Sequence, residues 1–429
     1  MKILKKILKI LGFIVGSVVA IYLVLAMLNV ISSLTLKNYI RSFNKVEYNN
    51  QLVPTLSEDG HYTFTTDGDF KIMQLNDLHI GGGHWSLKKD KKTMYEVMTM
   101  VQVEKPDLII LNGDSVFCVP GPMFGGGSSF NNRMASKRVI DLFEKLGVYY
   151  TVAFGNHDTE AYDYFNRKQI GDLYMKDKYQ YCIFQSEFNG YGVSNQCIVL
   201  KDTHGNVRKA IMVFDSNDYI DTSFAASMNW LYDVIHDEQV AWAKQTLLSL
   251  GDGVNPAKSL FFFHIPTGEF EQAYRDLKAN NFQDTTDVKY ISGVWDELVD
   301  EEMGGRIWYG GCHNLEVAPN DNDKLFEELG PDGINSLEAI FCGHDHVNNA
   351  TVEYKGVILA YGMSLDNTAY KDIAKYGRQR GAMVVTVKND NTFTVEHKNA
   401  YLDYGVDQNK FYDVNLDDYL YPDYAPTNR

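Results

Sequence analysis

Five short motifs in this sequence combine side chains that can bind metal ions or move protons. They are Asp77-Leu78-His79, Gly113-Asp114, Gly155-Asn156-His157-Asp158, His264-Ile265-Pro266 and Gly343-His344-Asp345-His346. Together they offer carboxylate oxygens, imidazole nitrogens and one Asn carbonyl, and no thiolate. Such donors suit borderline divalent metals such as Zn, Fe, Mn or Co better than Cu(I) or an Fe–S cluster. The donors outnumber what one tetrahedral ion takes, and suffice for two ions that share a carboxylate. Each motif is weak alone. Asp-x-His is common by chance, a histidine behind three phenylalanines ordinarily sits satisfied in a core, and Gly-Asn-His-Asp also reads as a turn. All five in order, each directly behind an apolar run, point to a metal site.

Those apolar runs are the strands that must position the motifs. Phe70–Leu75, Asp107–Leu111, Val148–Phe154, Lys209–Phe214, Leu260–Phe263 and Leu337–Cys342 read as strands, with shorter ones at Val357–Tyr361 and Met383–Val387. Asp90–Glu104, Arg133–Leu146 and Glu238–Leu250 read as helices, the last two stopped by Gly147 and Gly251. Strands alternating with helices imply a layered α/β domain, and in such sheets ligands gather at the carboxyl ends of strands. The domain is expected over 66–400, with functional inserts near 160–195 and 280–335. A Tyr/Asp-rich tail over 401–429 is expected to pack loosely. Weaker pocket candidates are His84 and Trp85, His313 and Asn314, and Tyr361 and Gly362. The Gly125–Ser129 run is not followed by Lys-Ser/Thr, so it is no P-loop.

The ordered motif set resembles the calcineurin-like metallophosphoesterase superfamily over roughly residues 68–390, and within it the purple-acid-phosphatase-related branch. KIMQLNDLHIG, EKPDLIILNGD, VAFGNHDTE, FFFHIPTGEF and AIFCGHDHVN carry the likeness, with RQRGA around Arg380 as later context. The resemblance implies a β-sandwich flanked by helices. It implies two divalent metal ions (Mn, Fe or Zn), one held by Asp77, His79, Asp114 and His346, the other by Asp114, Asn156, His264 and His344, with Asp114 bridging. His157 would face the substrate and protonate or stabilise the leaving oxygen, with Asp158 orienting it. Two ions about 3.5–4 Å apart can generate hydroxide at neutral pH and clamp both oxygens of an in-line displacement at phosphorus. The implied function is hydrolysis of phosphate esters. Phosphodiester cleavage of nucleotides, lipid headgroups or wall polymers uses the same core, and a non-catalytic metal-binding scaffold is the reading from another class.

Composition narrows the partners. The 429 residues are 45% hydrophobic and 22% charged, which argues against a wholly disordered chain. A net charge of −16 argues against a nucleic acid polymer as partner. The charge is uneven, because residues 1–45 contain Lys2, Lys5, Lys6, Lys9, Lys37, Arg41 and Lys45 and no acidic residue. Between them, Ile10–Leu36 carries no charge. A helix needs about 20 apolar residues to cross a hydrocarbon core, and no Ala-x-Ala cleavage site closes the run. Residues 1–36 are therefore expected to be a single transmembrane signal anchor, in the membrane through residues 10–36, with 37–65 as a tether. Four lysines before the span favour a cytoplasmic N-terminus and an extracytoplasmic body. An acidic body is not expected to hug an anionic leaflet. Cys118, Cys182, Cys197, Cys312 and Cys342 form no disulfide framework. A Cys182–Cys197 bridge and five reduced thiols both fit.

The purple enzymes place a tyrosine ligand three residues after the second-motif aspartate, and here that residue is Phe117. A phenyl ring cannot ligate iron. The ferric-loaded protein is therefore expected to show no visible tyrosinate charge-transfer band. A purple protein would show that another tyrosine ligates.

Overall fold

The structure is a computed structural model, and it describes residues 2–119, 129–220, 232–295, 324–369 and 373–418. His313, Asn314, Cys312 and most of the Gly125–Ser129 run lie outside the described residues, as do the centre of the second insert and the end of the tail.

The strands that carry the motifs fall into two sheets. The smaller sheet contains β3 (Phe70–Leu75), β4 (Leu108–Asn112), β5 (Tyr150–Ala153), β13 (Gly381–Val387) and β14 (Phe393–Asn399), in the order β14-β13-β3-β4-β5. Within it β3, β4 and β5 are parallel, with Ile72 opposite Leu108 and Ile109 opposite Tyr150. The larger sheet contains β1 (Thr55–Leu56), β2 (Tyr62–Thr65), β6 (Gln196–Lys201), β7 (Val207–Val213), β8 (Ser259–Phe262), β9 (Val288–Ser292), β10 (Leu337–Cys342), β11 (Thr351–Tyr354) and β12 (Val357–Tyr361). Its order is β1-β2-β6-β7-β8-β10-β12-β11-β9, and β7, β8, β10 and β12 run parallel.

The two-residue period of the strands builds three apolar layers from these two sheets. Leu108 and Ile110 of β4, Ile72 of β3, Leu260 and Phe262 of β8, and Phe341 of β10 meet between the sheets. Their alternates Ile109, Leu111 and Met73 face outward onto α2 (Leu87–Glu104) and α3 (Asn132–Leu146). On the other outer face, Phe261, Phe263 and Ile340 pack against α5 (Asp237–Ser249) and α6 (Gly268–Ala279). Each fully buried Leu, Ile or Phe contributes about 1.5–3 kcal/mol, so the continuous apolar runs hold the sandwich. The expected layered α/β class, a β-sandwich flanked by helices, is what forms. Short elements escaped the sequence reading, among them β1, β2, β6, β9, β14, α6 and, inside the first insert, α4 (Arg167–Tyr174).

Helix α3 shows why the helices begin and end where they do. The Asn131 side chain accepts from the Met134 N–H at 3.1 Å. Gly147 closes the helix at φ 72°, donating its N–H to the Phe143 carbonyl, a left-handed cap that glycine adopts without strain.

The N-terminal helix α1 runs unbroken from Lys2 to Arg41, long and apolar enough to cross a membrane. Its first part is exposed. Its last part is not, for Asn29, Ser32, Ser33, Leu36 and Ile40 are buried against the domain. The segment read as a tether is packed as well. Phe43 and Val46 sit in the core beside Leu146, and β1 and β2 extend the larger sheet. The start of the tail is also fastened, since Tyr401 is buried with its hydroxyl on Glu96, and Tyr404 donates to Glu104 at 2.8 Å. Cys118, Cys182, Cys197 and Cys342 are free thiols, so Cys182 and Cys197 are not joined.

Candidate metal centre

Both sheets deliver their motifs to one edge. β3, β4 and β5 end at Asp77–His79, Asp114 and Asn156–His157, and β8 and β10 end at His264 and His344–His346. Two amides hold the sheets at a fixed separation beneath this edge. The Asn112 Nδ2 donates to the carbonyls of Phe263 (2.8 Å) and Phe341 (3.2 Å), and the Gln74 Nε2 donates to Cys342 (3.0 Å). Both amides are wholly buried, where such bonds are worth most.

The loops at the strand ends are strained. Asp77 (φ 52°), His79 (φ 47°), Asp114 (φ 48°) and His344 (φ 73°) all occupy the left-handed region, at about 1–3 kcal/mol each. Backbone bonds between the first two loops hold them there, with His79 N–H on the Asp114 carbonyl at 3.0 Å and Ile80 N–H on Ser115 at 3.1 Å. Two glycines allow the close approach. A Cβ on Gly113 would lie 2.2 Å from His264 Nδ1, and one on Gly155 would lie 2.2 Å from Asp114 Oδ1.

The donor atoms form two groups with a common member. Ligand atoms of Asp77, His79, Asp114 and His346 lie within 4.8 Å of one another, as do those of Asp114, His264 and His344. Asp114 Oδ2 is 3.3 Å from His79 Nε2 and 3.1 Å from His264 Nε2, and Asp77 Oδ1 is 3.4 Å from His346 Nε2. Asn156 lies beside them. Its amide nitrogen donates to the Tyr219 hydroxyl at 3.3 Å, leaving Oδ1 buried with no hydrogen bond. Both oxygens of Asp77 and Nε2 of His344 are likewise buried without one. Orphaned buried polar atoms are costly; these are all metal-type donors turned to one centre. The residues therefore fit a pair of ions.

Electrostatics agree. Burial alone would raise the Asp114 carboxyl, but the charges of His264 and His157 and bonds from His264 and His79 hold it well below the usual range. Burial depresses His79, yet Asp366 and Asp114 outweigh it and raise the imidazole to about 10. His264 rises to about 9 against its burial, chiefly through Asp114. The pocket is thus built to stabilise positive charge. His344 is pushed well down by burial and by His264, which keeps its nitrogen free of a proton and available to a metal.

His157 stands slightly apart, with its side chain 20% exposed. Its backbone N–H donates to Asp114 Oδ1 at 2.8 Å, and its Nδ1 meets Glu160 Oε1 at 2.6 Å. Asp158 does not touch that ring through a hydrogen bond. Its carboxylate accepts from the Val116 and Gly155 amides at 3.2 and 2.8 Å. The residue set on His157 is Glu160, which also accepts from the Tyr219 hydroxyl at 3.1 Å. Phe117 stacks on His79 with centroids 5.0 Å apart and meets His157 edge-on at 4.9 Å.

Sequence reasoning missed Asp366, Glu160, Tyr219 and Tyr232. Asp366 lies 3.3 Å from His79 Nδ1 and 3.1 Å from His346 Nδ1, orienting one imidazole in each of two motifs. Arg380, buried beneath, donates to the His346 carbonyl and, at 3.0 Å, to Ser364. Tyr232 sets its ring edge-on to His344 at 4.5 Å. Of the weaker candidates, Tyr361 is core, packed on Phe270, and His84 and Trp85 form an exposed turn bonded to α1.

A family model described as calcineurin-like phosphoesterase matches residues 70–348. The chain is 24% identical to the Arabidopsis thaliana protein named probable inactive purple acid phosphatase 29, over 78% of this chain and 81% of that one. It is 24% identical to phosphatase DCR2 of Saccharomyces cerevisiae, over 66% of this chain and 45% of that one. Among solved structures, a dimetal phosphatase from Danio rerio aligns with 77% of this chain and 96% of its own, at 10% identity and a TM-score of 0.42.

Partners behind metal-ligating histidines commonly govern affinity by about 10–100-fold. Asp366→Asn is expected to weaken divalent-metal binding by about that factor, read by competition with a chelator of known affinity. Unchanged affinity would mean that the carboxylate only braces its own loop through the Thr368 and Ala369 amides.

Proposed function

Because the chain belongs to the calcineurin-like phosphoesterase family, we propose that it is a membrane-anchored hydrolase of phosphate esters working with two divalent ions. The observation that carries this reading is the pair of buried donor groups sharing Asp114. Asp77, His79, Asp114 and His346 would hold one ion, and Asp114, Asn156, His264 and His344 the other. When bound, such a pair supplies Lewis acidity toward phosphoryl oxygens and activates water near neutral pH.

The chain's own residues do the rest. Nδ1 of His157 is engaged by Glu160, which leaves Nε2 free to hand a proton to the departing oxygen. Imidazole is the side chain suited to that near neutral pH. Glu160 is a positioning residue, fixed in turn by Tyr219. Phe117 and His79 wall His157 on one side and limit its tilt. Asp158 holds the turn on which His157 sits. Monoesters and diesters both fit this arrangement, so the ester class is read from activity on a substrate panel.

A non-catalytic metal-binding role is the second reading, favoured by the words "probable inactive" in the Arabidopsis relative's name. The two readings part on turnover. The phosphoesterase reading expects about two divalent ions per chain and activity lost on chelation. Asp114→Asn should lose activity and at least one ion. His157→Ala should keep both ions and lose about 10²–10⁴-fold in turnover. Metal binding with no turnover on mono- or diesters would favour the scaffold, and loss of metal from His157→Ala would overturn its assigned role.

We further propose that α1 spans the membrane with Met1–Lys9 in the cytoplasm and the body outside. The four leading lysines support this orientation. Protease added to intact cells is then expected to remove the body and spare the N-terminal stub. A body protected until lysis would reverse the orientation.

A further inference from the structure

Where α1 leaves its exposed stretch it does not simply connect to the domain. Asn29 accepts from the His84 N–H at 2.9 Å, Ser32 Oγ lies 3.3 Å from His84 Nδ1, and the Arg138 guanidinium reaches the Ser33 carbonyl at 3.5 Å. Further down, the Tyr22 hydroxyl meets that of Tyr164 at 2.8 Å. At 1.5 Å per residue, about 20 residues from Ile10 fill a hydrocarbon core. They end near Asn29, so Val30–Leu34 lie at the level of the headgroups, and the Tyr22–Tyr164 contact lies about two turns deeper, where the loop before α4 would dip below that level.

At that level a cavity of about 550 Å³ opens between α1 and the start of α3. Val30, Ser33 and Leu34 line one wall, and Arg133, Lys137 and Arg138 the other. Arg138 is 7% exposed and pairs with Asp141 at 3.1 Å, yet its Nε donates to nothing, and neither does the Nε of Arg133. The Arg133 guanidinium lies over the Phe165 ring, 5.1 Å from its centroid. Burial, then the charges of Arg133, Lys176, Lys178 and Arg138, hold the Lys137 ammonium below its ordinary value. The cations here repel one another without enough carboxylate to answer them. The amino end of α3 adds its dipole to the same spot.

We infer that this cavity binds the phosphate of an anionic phospholipid from the leaflet that α1 enters, with acyl chains along Val30 and Leu34 and the phosphate on Arg133, Lys137 and Arg138. The body's net negative charge conceals this face, which lies where an anionic leaflet would meet it. The inference rests on α1 being a membrane span and is independent of turnover. A lipid seated there would hold the domain in one orientation on the bilayer, with the loop of Asp77 and His79 tied to α1 through His84.

The test uses the full chain with its metals in a neutral detergent, titrated with short-chain phosphatidylglycerol, short-chain phosphatidylcholine and inorganic phosphate, and bound lipid is counted by native mass spectrometry. Phosphatidylglycerol should bind well ahead of phosphatidylcholine, and inorganic phosphate should compete weakly. Arg133→Gln/Lys137→Gln should lose about 25-fold in phosphatidylglycerol affinity, at about fivefold for each basic side chain near an anionic headgroup. Metal content and melting temperature should be unchanged. Lys137→Gln alone, at a half-exposed position, keeps the test open should the double variant misfold. Equal binding of the two lipids, an unaffected variant, or inorganic phosphate displacing the lipid at matched concentration would each overturn the inference. Extraction of native membranes at alkaline pH checks the span separately, so a failed anchor and a failed lipid site are told apart.

Discussion

A carboxylate removed from water persists as an anion only where positive charge or hydrogen bonds replace its hydration, and Asp114 is answered from three other strands at once. His79 comes from the end of β3, the His157 amide from β5, and His264 from β8, all within 3.3 Å. That demand organises the edge of the sandwich. The two sheets must keep a fixed separation, which the Asn112 and Gln74 amides impose from below. The strand ends must turn sharply, which places four non-glycine residues in the left-handed region. Gly113 and Gly155 must lack side chains. Remove any of these and the charge at Asp114 is left without its partners.

The same logic runs outward in steps. Histidines that face Asp114 and Asp77 with one nitrogen are aimed by what holds the other. His264 is set by the Asn112 carbonyl at 3.0 Å, and His79 and His346 by Asp366. Arg380, beneath them, ties the His346 carbonyl to the Ser364 loop. The interior of the site is therefore rigid, while His157, the more exposed histidine, is held by Glu160 and Tyr219 from the first insert and the segment after β7. This separation between the residues that would bind metal and the one that would move a proton makes retention of metal without turnover a coherent alternative state of the fold.

The N-terminal helix joins this organisation at its far end. Its apolar face leaves the exposed stretch and becomes part of the domain core through Leu36 and Ile40, and its polar residues meet His84, five positions after His79. With α1 in a membrane as proposed, a helix fused in this way would fix the height and tilt of the domain over the bilayer. The cation-lined cavity beside it lies where such a fixed geometry would bring the protein against lipid headgroups.

The sequence by itself determined the strand runs, because continuous apolar segments bounded by Gly, Pro and Asp admit little else, and it determined the motif residues that follow them. It also determined the apolar span of α1 and the phenyl ring at Phe117. Elements with few apolar residues or short length, such as β1, β2 and β9, were not legible, since pairing rather than composition makes them strands. Only the tertiary structure decided which residues serve the motifs from afar. Asp366 and Glu160 are ordinary carboxylates in sequence, and become partners of His79, His346 and His157 only when the loop after β12 and the turn after β5 are folded against the edge. Only the tertiary structure, likewise, decided that the last turns of α1 and the chain after it pack on the domain, because the burial of Ser32, Ser33 and Leu36 depends on surfaces of α2 and α3 distant in the chain. Local pattern records what a residue needs; which distant residue meets that need is settled by the packing of the sheets.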